Sequence, residues 1–239
     1  MNFVTIILGI IIVLLIYYIY RTYYVTSTTL ANQVNLNSGS TTIDISTLTN
    51  KGSTNYSYGL WAYVNSWSNN IAKTLFYRGS ASPVYATDPN GMLIPTNNPD
   101  VALYLDSTTP TLYLYIASSI SGNPGTTIII TNNFPIQAWA YVIVSVNGDL
   151  VDIYLNGKLI TSQQLPFIPV VSANGITMGD GNNPDIYLAM FNRYPYVMDP
   201  QTAWNNYLQA NGMSNVLPNY NVVLSILQNN QQTSSYQLF

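Results

Sequence analysis

Residues 146–160 read "VNGDLVDIYLNGKLI", with two Asn-Gly pairs nine residues apart and strand-like sequence between them. Asn and Gly tolerate the positive φ required at the centre of a type I′ turn, so Asn147-Gly148 and Asn156-Gly157 read as two hairpin turns. The run "YVIVSV" (Tyr141–Val146) leads into the first pair and "LVDIYL" (Leu150–Leu155) joins the two. In the second run Val151, Ile153 and Leu155 share one face, and Leu150, Asp152 and Tyr154 share the other. The expectation is a β-meander whose strands bury at least one face.

The same signals recur on both sides of this stretch. "YSYGLWAYVNSW" (Tyr56–Trp67), "KTLFYRG" (Lys73–Gly79), "PDVALYLDSTTPTLYLYIAS" (Pro99–Ser118) and "TTIIIT" (Thr126–Thr131) are short β-type runs separated by turn residues. A first strand is expected near Thr42–Thr47, and two late strands within "NGITMGDGNNPDIYLAMFNRY" (Asn174–Tyr194). Many short strands at near-regular spacing indicate an all-β antiparallel sandwich or jelly roll. One helix interrupts the pattern late. "DPQTAWNNYLQANG" (Asp199–Gly212) offers Asp199 as N-cap, Pro200 at N1 and Asn211-Gly212 as stop, with Ala203, Trp204, Tyr207 and Leu208 on one face.

The N-terminus differs in kind. No charged side chain occurs in the first twenty residues, "MNFVTIILGIIIVLLIYYIY". From Phe3 through Ile7, Ile11 and Leu15 to Tyr20 the run would make a helix about 27 Å long, close to the roughly 30 Å of bilayer hydrocarbon. Tyr17, Tyr20 and their neighbours would form an interfacial belt, with Arg21 beside them. A cleaved signal peptide would need a basic leader and a small-residue cleavage site, and neither is present. The expected organisation is a transmembrane anchor over 1–25, a polar linker over 26–41, the sandwich over 42–212, and an Asn/Gln-rich tail over 213–239. Arg21 follows the apolar run, which places the C-terminal domain on the cytosolic side, where the sequon Asn55-Tyr56-Ser57 would stay unmodified.

Composition removes whole classes of chemistry. Of 239 residues only 6% are charged, with no Cys, His or Glu, and the net charge is −3. There is no Ser-His-Asp triad, no thiol nucleophile and no ordinary zinc or copper site. The six Lys and Arg stand singly, which excludes nucleic-acid binding through phosphate neutralisation. A polar but uncharged surface suits packing against other protein. No cofactor is expected apart from a calcium ion, for which the closely spaced oxygen donors Asp180, Asn182, Asn183 and Asp185 in "GDGNNPD" are the candidate site. The plainer alternative is an Asx-rich loop that bonds its own backbone.

The blocks "YGLWAYV", "LFYRG", "WAYVIVSVNGDLVDIYLNGKLI" and "ITMGDGNNPDIYLAMFNRYPYVMDPQTA", in that order, resemble the laminin G-like branch of the concanavalin A-like lectin/glucanase superfamily. The resemblance implies a concanavalin A-like sandwich over roughly Thr42–Gly212. Glucanase members carry paired Glu residues as nucleophile and acid/base. This chain has none, and its nearest carboxylate pair, Asp149 and Asp152, sits in and beside a turn, so no catalytic residue and no hydrolase activity are expected. In overall character the anchored, charge-poor chain also resembles minor capsid proteins of large icosahedral DNA viruses. The leading expectation is therefore a non-enzymatic virion protein that tethers a lipid bilayer to capsid proteins. The second expectation is a membrane-anchored lectin that binds glycans.

Overall fold

The structure, a computed structural model, describes residues 3–24, 27–68, 70–209, 223–228 and 231–237. Its body is two antiparallel six-stranded sheets. The first has the order β1 (Thr28–Asn35), β14 (Ile186–Tyr194), β3 (Asn55–Val64), β10 (Trp139–Asn147), β11 (Leu150–Leu155), β12 (Lys158–Gln164). The second has the order β2 (Thr41–Ile43), β13 (Ile176–Met178), β4 (Lys73–Arg78), β7 (Val101–Leu105), β8 (Leu112–Ile116), β9 (Thr126–Thr131). A short ribbon, β5 (Tyr85–Thr87) with β6 (Leu93–Pro95), lies apart from both, and β15 (Val223–Gln228) pairs with β16 (Gln231–Gln237).

Alternation sorts the side chains into three layers. Tyr58, Leu60, Ala62 and Val64 of β3, Val142 and Val144 of β10, and Val151 and Ile153 of β11 point between the sheets. There they meet Leu75, Leu103, Leu114 and Ile176 of the second sheet. The intervening residues of β3 and β10 are buried as well, because the outer face of the first sheet is covered by α2 (Pro200–Gln209). Trp61, Tyr141, Ile143 and Tyr154 form a second cluster there with Met198 and Ala203. The outer face of the second sheet carries Tyr77, Tyr104, Tyr113 and Tyr115, with Tyr85 of the ribbon against them. Both central strands are thus apolar on two faces, which is why "YSYGLWAYV" does not alternate.

The meander forms as expected, with one shift of register. Asn147 pairs with Leu150, so the first turn is centred on Gly148-Asp149. Only Gly148 has positive φ (60°), the pattern of a type II′ turn, because Asn147 remains the last residue of β10. The second turn is centred on Asn156 (φ 50°) and Gly157 (φ 76°), both left-handed as type I′ requires. Asn156 ties this turn to β10: its Oδ1 accepts from Tyr141 N at 2.9 Å, and its own N donates to Tyr141 O at 2.8 Å.

Several expectations are corrected. Most of the 26–41 stretch is not a linker. Its residues 28–35 form β1, paired along β14, with Leu30 and then Leu36 buried. Strand pairing on one side overrides a polar composition that an edge strand tolerates on the other. The first strand after it is Thr41–Ile43, and 45–47 is a 3₁₀ turn capped by Asp44, whose carboxylate accepts from Ser46 N at 2.7 Å. The tail contains the β15–β16 hairpin, while the expected helix stop at Asn211-Gly212 lies outside the described residues.

The N-terminal apolar run is helical from Phe3 to Tyr24 (α1). Its described side chains, Ile7 to Ile19, are 42–70% exposed where large and apolar, on every side of the helix. Those of Phe3, Tyr20 and Arg21 lie outside the described set. Among the described residues no helix is long and apolar enough to cross a membrane. The thirteen residues 7–19 reach only about 20 Å as helix.

Buried cations close the body of the sandwich. Arg193 donates to the carbonyls of Thr49 and Asn50, and Arg78 to that of Lys51 at 3.3 Å, so two strands hold three consecutive carbonyls of one loop. Arg78 also lies 3.7 Å from Asp100. Lys73 is fully buried; its Nζ donates to Ile71 O (2.8 Å) and Asp106 O (3.2 Å) and sits 3.8 Å from the centre of the Trp67 ring.

Candidate functional site

In the loop offered for calcium, the two carboxylates take different partners. Asp180 Oδ1 accepts from Asn182 N (3.0 Å), while its Oδ2 accepts from Thr74 Oγ1 (2.6 Å) and Asn182 Nδ2 (3.1 Å). Asp185 turns to a different neighbour and accepts from Asn65 Nδ2 (2.8 Å) and Ser66 Oγ (2.7 Å). Asn183 adopts φ 50° and serves the turn. The two carboxylates thus bond separate elements, and of the bonds described only the one from Asn182 N to Asp180 is to backbone of the loop itself. Among the described residues no group of three or more His, Cys, Asp or Glu side chains is placed to hold a metal ion. Asp149 and Asp152 are likewise structural in placement. Asp149 stands in the turn and accepts from Gln164 Nε2 at 3.1 Å, and Asp152 sits within β11 opposite Ser145 and Ser162.

A cleft opens instead beside α2. The local sequence builds it in three steps. At Met190 the backbone of β14 swings to φ 48° and its register against β3 slips between Ala189 and Asn192, which lifts this edge out of the regular pleat. The chain then leaves the sheet through "YPYVMDP", and Asp199 starts α2 as expected, accepting from Gln201 N and Thr202 N (both 3.0 Å) and Thr202 Oγ1 (2.6 Å). Ala203 and Tyr207 of α2 pack onto the sheet, with Tyr207 stacked on Trp61 (ring centres 5.6 Å apart). Trp204 and Leu208, expected on that buried face, stay 38% and 53% exposed.

The helix rests directly on the second Asn-Gly turn. A Cβ at Gly157 would lie 2.7 Å from Trp204 Cε3 and 3.0 Å from Tyr207 Cβ, so only glycine lets α2 come this close. Gly59 makes room for two tyrosines instead: a Cβ there would lie 2.8 Å from the Tyr141 hydroxyl and 3.3 Å from the Tyr194 ring.

The remaining side of α2 looks into the cleft, whose volume is about 520 Å³. Thr202, Asn205, Asn206 and Gln209 line it from the helix, and Tyr194, Tyr196 and Ser27 from across. A smaller compartment of about 130 Å³ adjoins it, where Tyr141, Met190 and Asn192 join Tyr194, Asn206 and Gln209. The rings of Tyr194 and Tyr196 stand 5.6 Å apart at 56°, forming an aromatic corner. Burial raises the pKa of both phenols, so both remain neutral donors at physiological pH. Among the described residues, no ionic side chain lines either compartment.

None of these lining residues was singled out by the sequence as a binding residue. The signal was present in "RYPYVMDPQTAWNNYLQ", where tyrosines and amides crowd around a helix start. Trp61 and Trp139 belong to the cluster beneath α2, and Trp67 packs at the inter-sheet core.

Among solved structures, the fold is similar to that of a mutant of HCR/D, at 12% identity and TM-score 0.53, covering 77% of this chain and 42% of that one. It is also similar to the binding domain of botulinum neurotoxin DC in complex with SialylT, at 16% identity and TM-score 0.48, covering 66% and 36%. The chain therefore spans less than half the length of these neighbours. No curated protein matches the sequence. A family model does, over residues 37–202, which is well over half of the chain and runs from before β2 into the first turn of α2. On that match, and with two six-stranded sheets in place, the chain belongs to the concanavalin A-like lectin/glucanases superfamily.

Proposed function

We propose that this chain is a glycan-binding protein, that the cleft between α2 and β14 is its binding site, and that it has no hydrolase activity. The observation that carries the reading is the composition of the cleft. Sugars present hydroxyls, which amides and phenols bind as both donors and acceptors, and C–H faces, which pack on the negative face of an aromatic ring. A volume near 520 Å³ lies within the range of small-ligand sites. Hydrolysis would need a carboxylate acid and a partner in the same cleft, and among the described residues none lines it. The virion role, with capsid proteins as partners, has no comparable geometric observation behind it.

The reading includes attachment to a bilayer through α1, whose 22 residues reach about 33 Å and whose described side chains are apolar on all sides. Because glycans lie on the non-cytosolic face of a cell membrane, it also reverses the orientation suggested by Arg21. Full-length protein in detergent, applied to a glycan array, should retain a subset of glycans. Tyr196→Ala and Asn206→Ala should each weaken retention by about tenfold or more. An array on which nothing is retained refutes the proposal.

A further inference from the structure

Resting on that reading, we infer that the cleft selects electrically neutral sugars and rejects those carrying sialic acid or sulfate. Its hydrogen-bonding groups are amides, phenols and hydroxyls, and no described Lys or Arg lines it. An anionic sugar entering it gives up hydration and meets no counter-charge among the described residues. The charge nearest by bonding is itself negative. Thr202, in the cleft wall, donates from both N and Oγ1 to Asp199. These hydrogen bonds, the side-chain one foremost, lower the Asp199 pKa and keep it ionised. The same carboxylate is one of the influences that raise the Tyr196 phenol, after burial and Tyr194, so its field reaches the aromatic corner. Arg193, although next to Tyr194 in sequence, is fully buried and donates to the carbonyls of Thr49 and Asn50. Asn205, Asn206 and Gln209 lie beyond residue 202, where the family match ends.

Neutral sugars reach proteins as free oligosaccharides or as glycolipid headgroups. Ser27, on the rim, follows Tyr24 by three residues, a chain distance of about 10 Å, so headgroups in the bilayer holding α1 are within reach.

The test compares matched pairs of glycans with and without terminal sialic acid, free in solution and as glycosylceramides in nanodiscs, using the full-length chain. For each pair with a bound member, the neutral form should bind at least about fivefold more tightly. Asn205→Lys, at an exposed position, should bring the two to within about twofold by supplying the missing cation, and Gln209→Lys serves as a second such variant. Preference for the nanodisc form assigns the ligand to headgroups, and equal binding assigns it to the sugar alone; both support the inference. Sialylated forms bound as tightly as neutral ones overturn it and leave the glycan reading standing. Absence of binding to every glycan overturns both.

Discussion

Two glycines with the same backbone demand have different roles because of what lies above them. Gly148 and Gly157 both hold positive φ, but a Cβ on Gly148 meets open space, whereas one on Gly157 meets Trp204 and Tyr207. Gly148→Ala should therefore cost only backbone strain, about 1 kcal/mol. Gly157→Val adds a clash with the helix to a strain of about 1–3 kcal/mol, and should lower Tm by about 5 °C or more. It should also weaken ligand retention, since α2 walls the cleft. Thermal melting of the two variants side by side checks this, and equal losses would show that α2 does not rest on the turn. The sequence announced both turns, because Asn-Gly carries its conformational preference locally. It did not show that Gly157 would sit under a helix more than forty residues further on, since that contact depends on how β11, β12 and α2 fold back on one another.

At the scale of elements, legibility followed the number of apolar faces. β3, β10 and β11 were readable because burial on one or both faces leaves a pattern of hydrophobic residues. β1 was not, because "TTLANQVN" buries one residue fully and owes its conformation to the ladder with β14. The 180–185 loop is a related case. Spacing along the chain brings Asp180 and Asp185 near each other in sequence, but Thr74 on one side and Asn65 with Ser66 on the other draw their carboxylates to different partners. Asp199 is the element-scale residue whose role was legible, and Asp199→Ala should cost about 1 kcal/mol by leaving the first amides of α2 uncapped. Denaturant unfolding measures that loss. For α1, the expected outcome is that the full chain stays with membranes through alkaline carbonate extraction and that deletion of residues 1–24 releases it. Full-length protein in the extract would remove the anchor.

For the molecule as a whole, a charge-poor core makes its few buried ionisable groups visible in a pH titration. Burial pushes the Lys73 ammonium down to about 8, with the Asp106 carboxylate opposing the shift, whereas an unfolded lysine titrates near 10.4. Between these values the unfolded chain binds a proton that the folded chain has released, so stability should rise as pH goes from 8 towards 10. Above about 10, tyrosines ionise in the unfolded chain while burial keeps Tyr56, Tyr58 and Tyr104 protonated in the folded one, so stability should then fall. Lys73→Met should remove the rise and keep the fall, as followed by denaturant midpoints; an unchanged rise would show that Lys73 is not its source. These are properties of the sandwich, whereas the proposed function rests on the neutral cleft at its side. That claim is tested most directly by NMR titration of the full-length chain with a glycan selected on the array, following the side-chain amides of Asn205, Asn206 and Gln209. The account predicts saturable shifts in those three, lost in Tyr196→Ala. Shifts confined to the 180–185 loop, or to any surface away from α2, would contradict it.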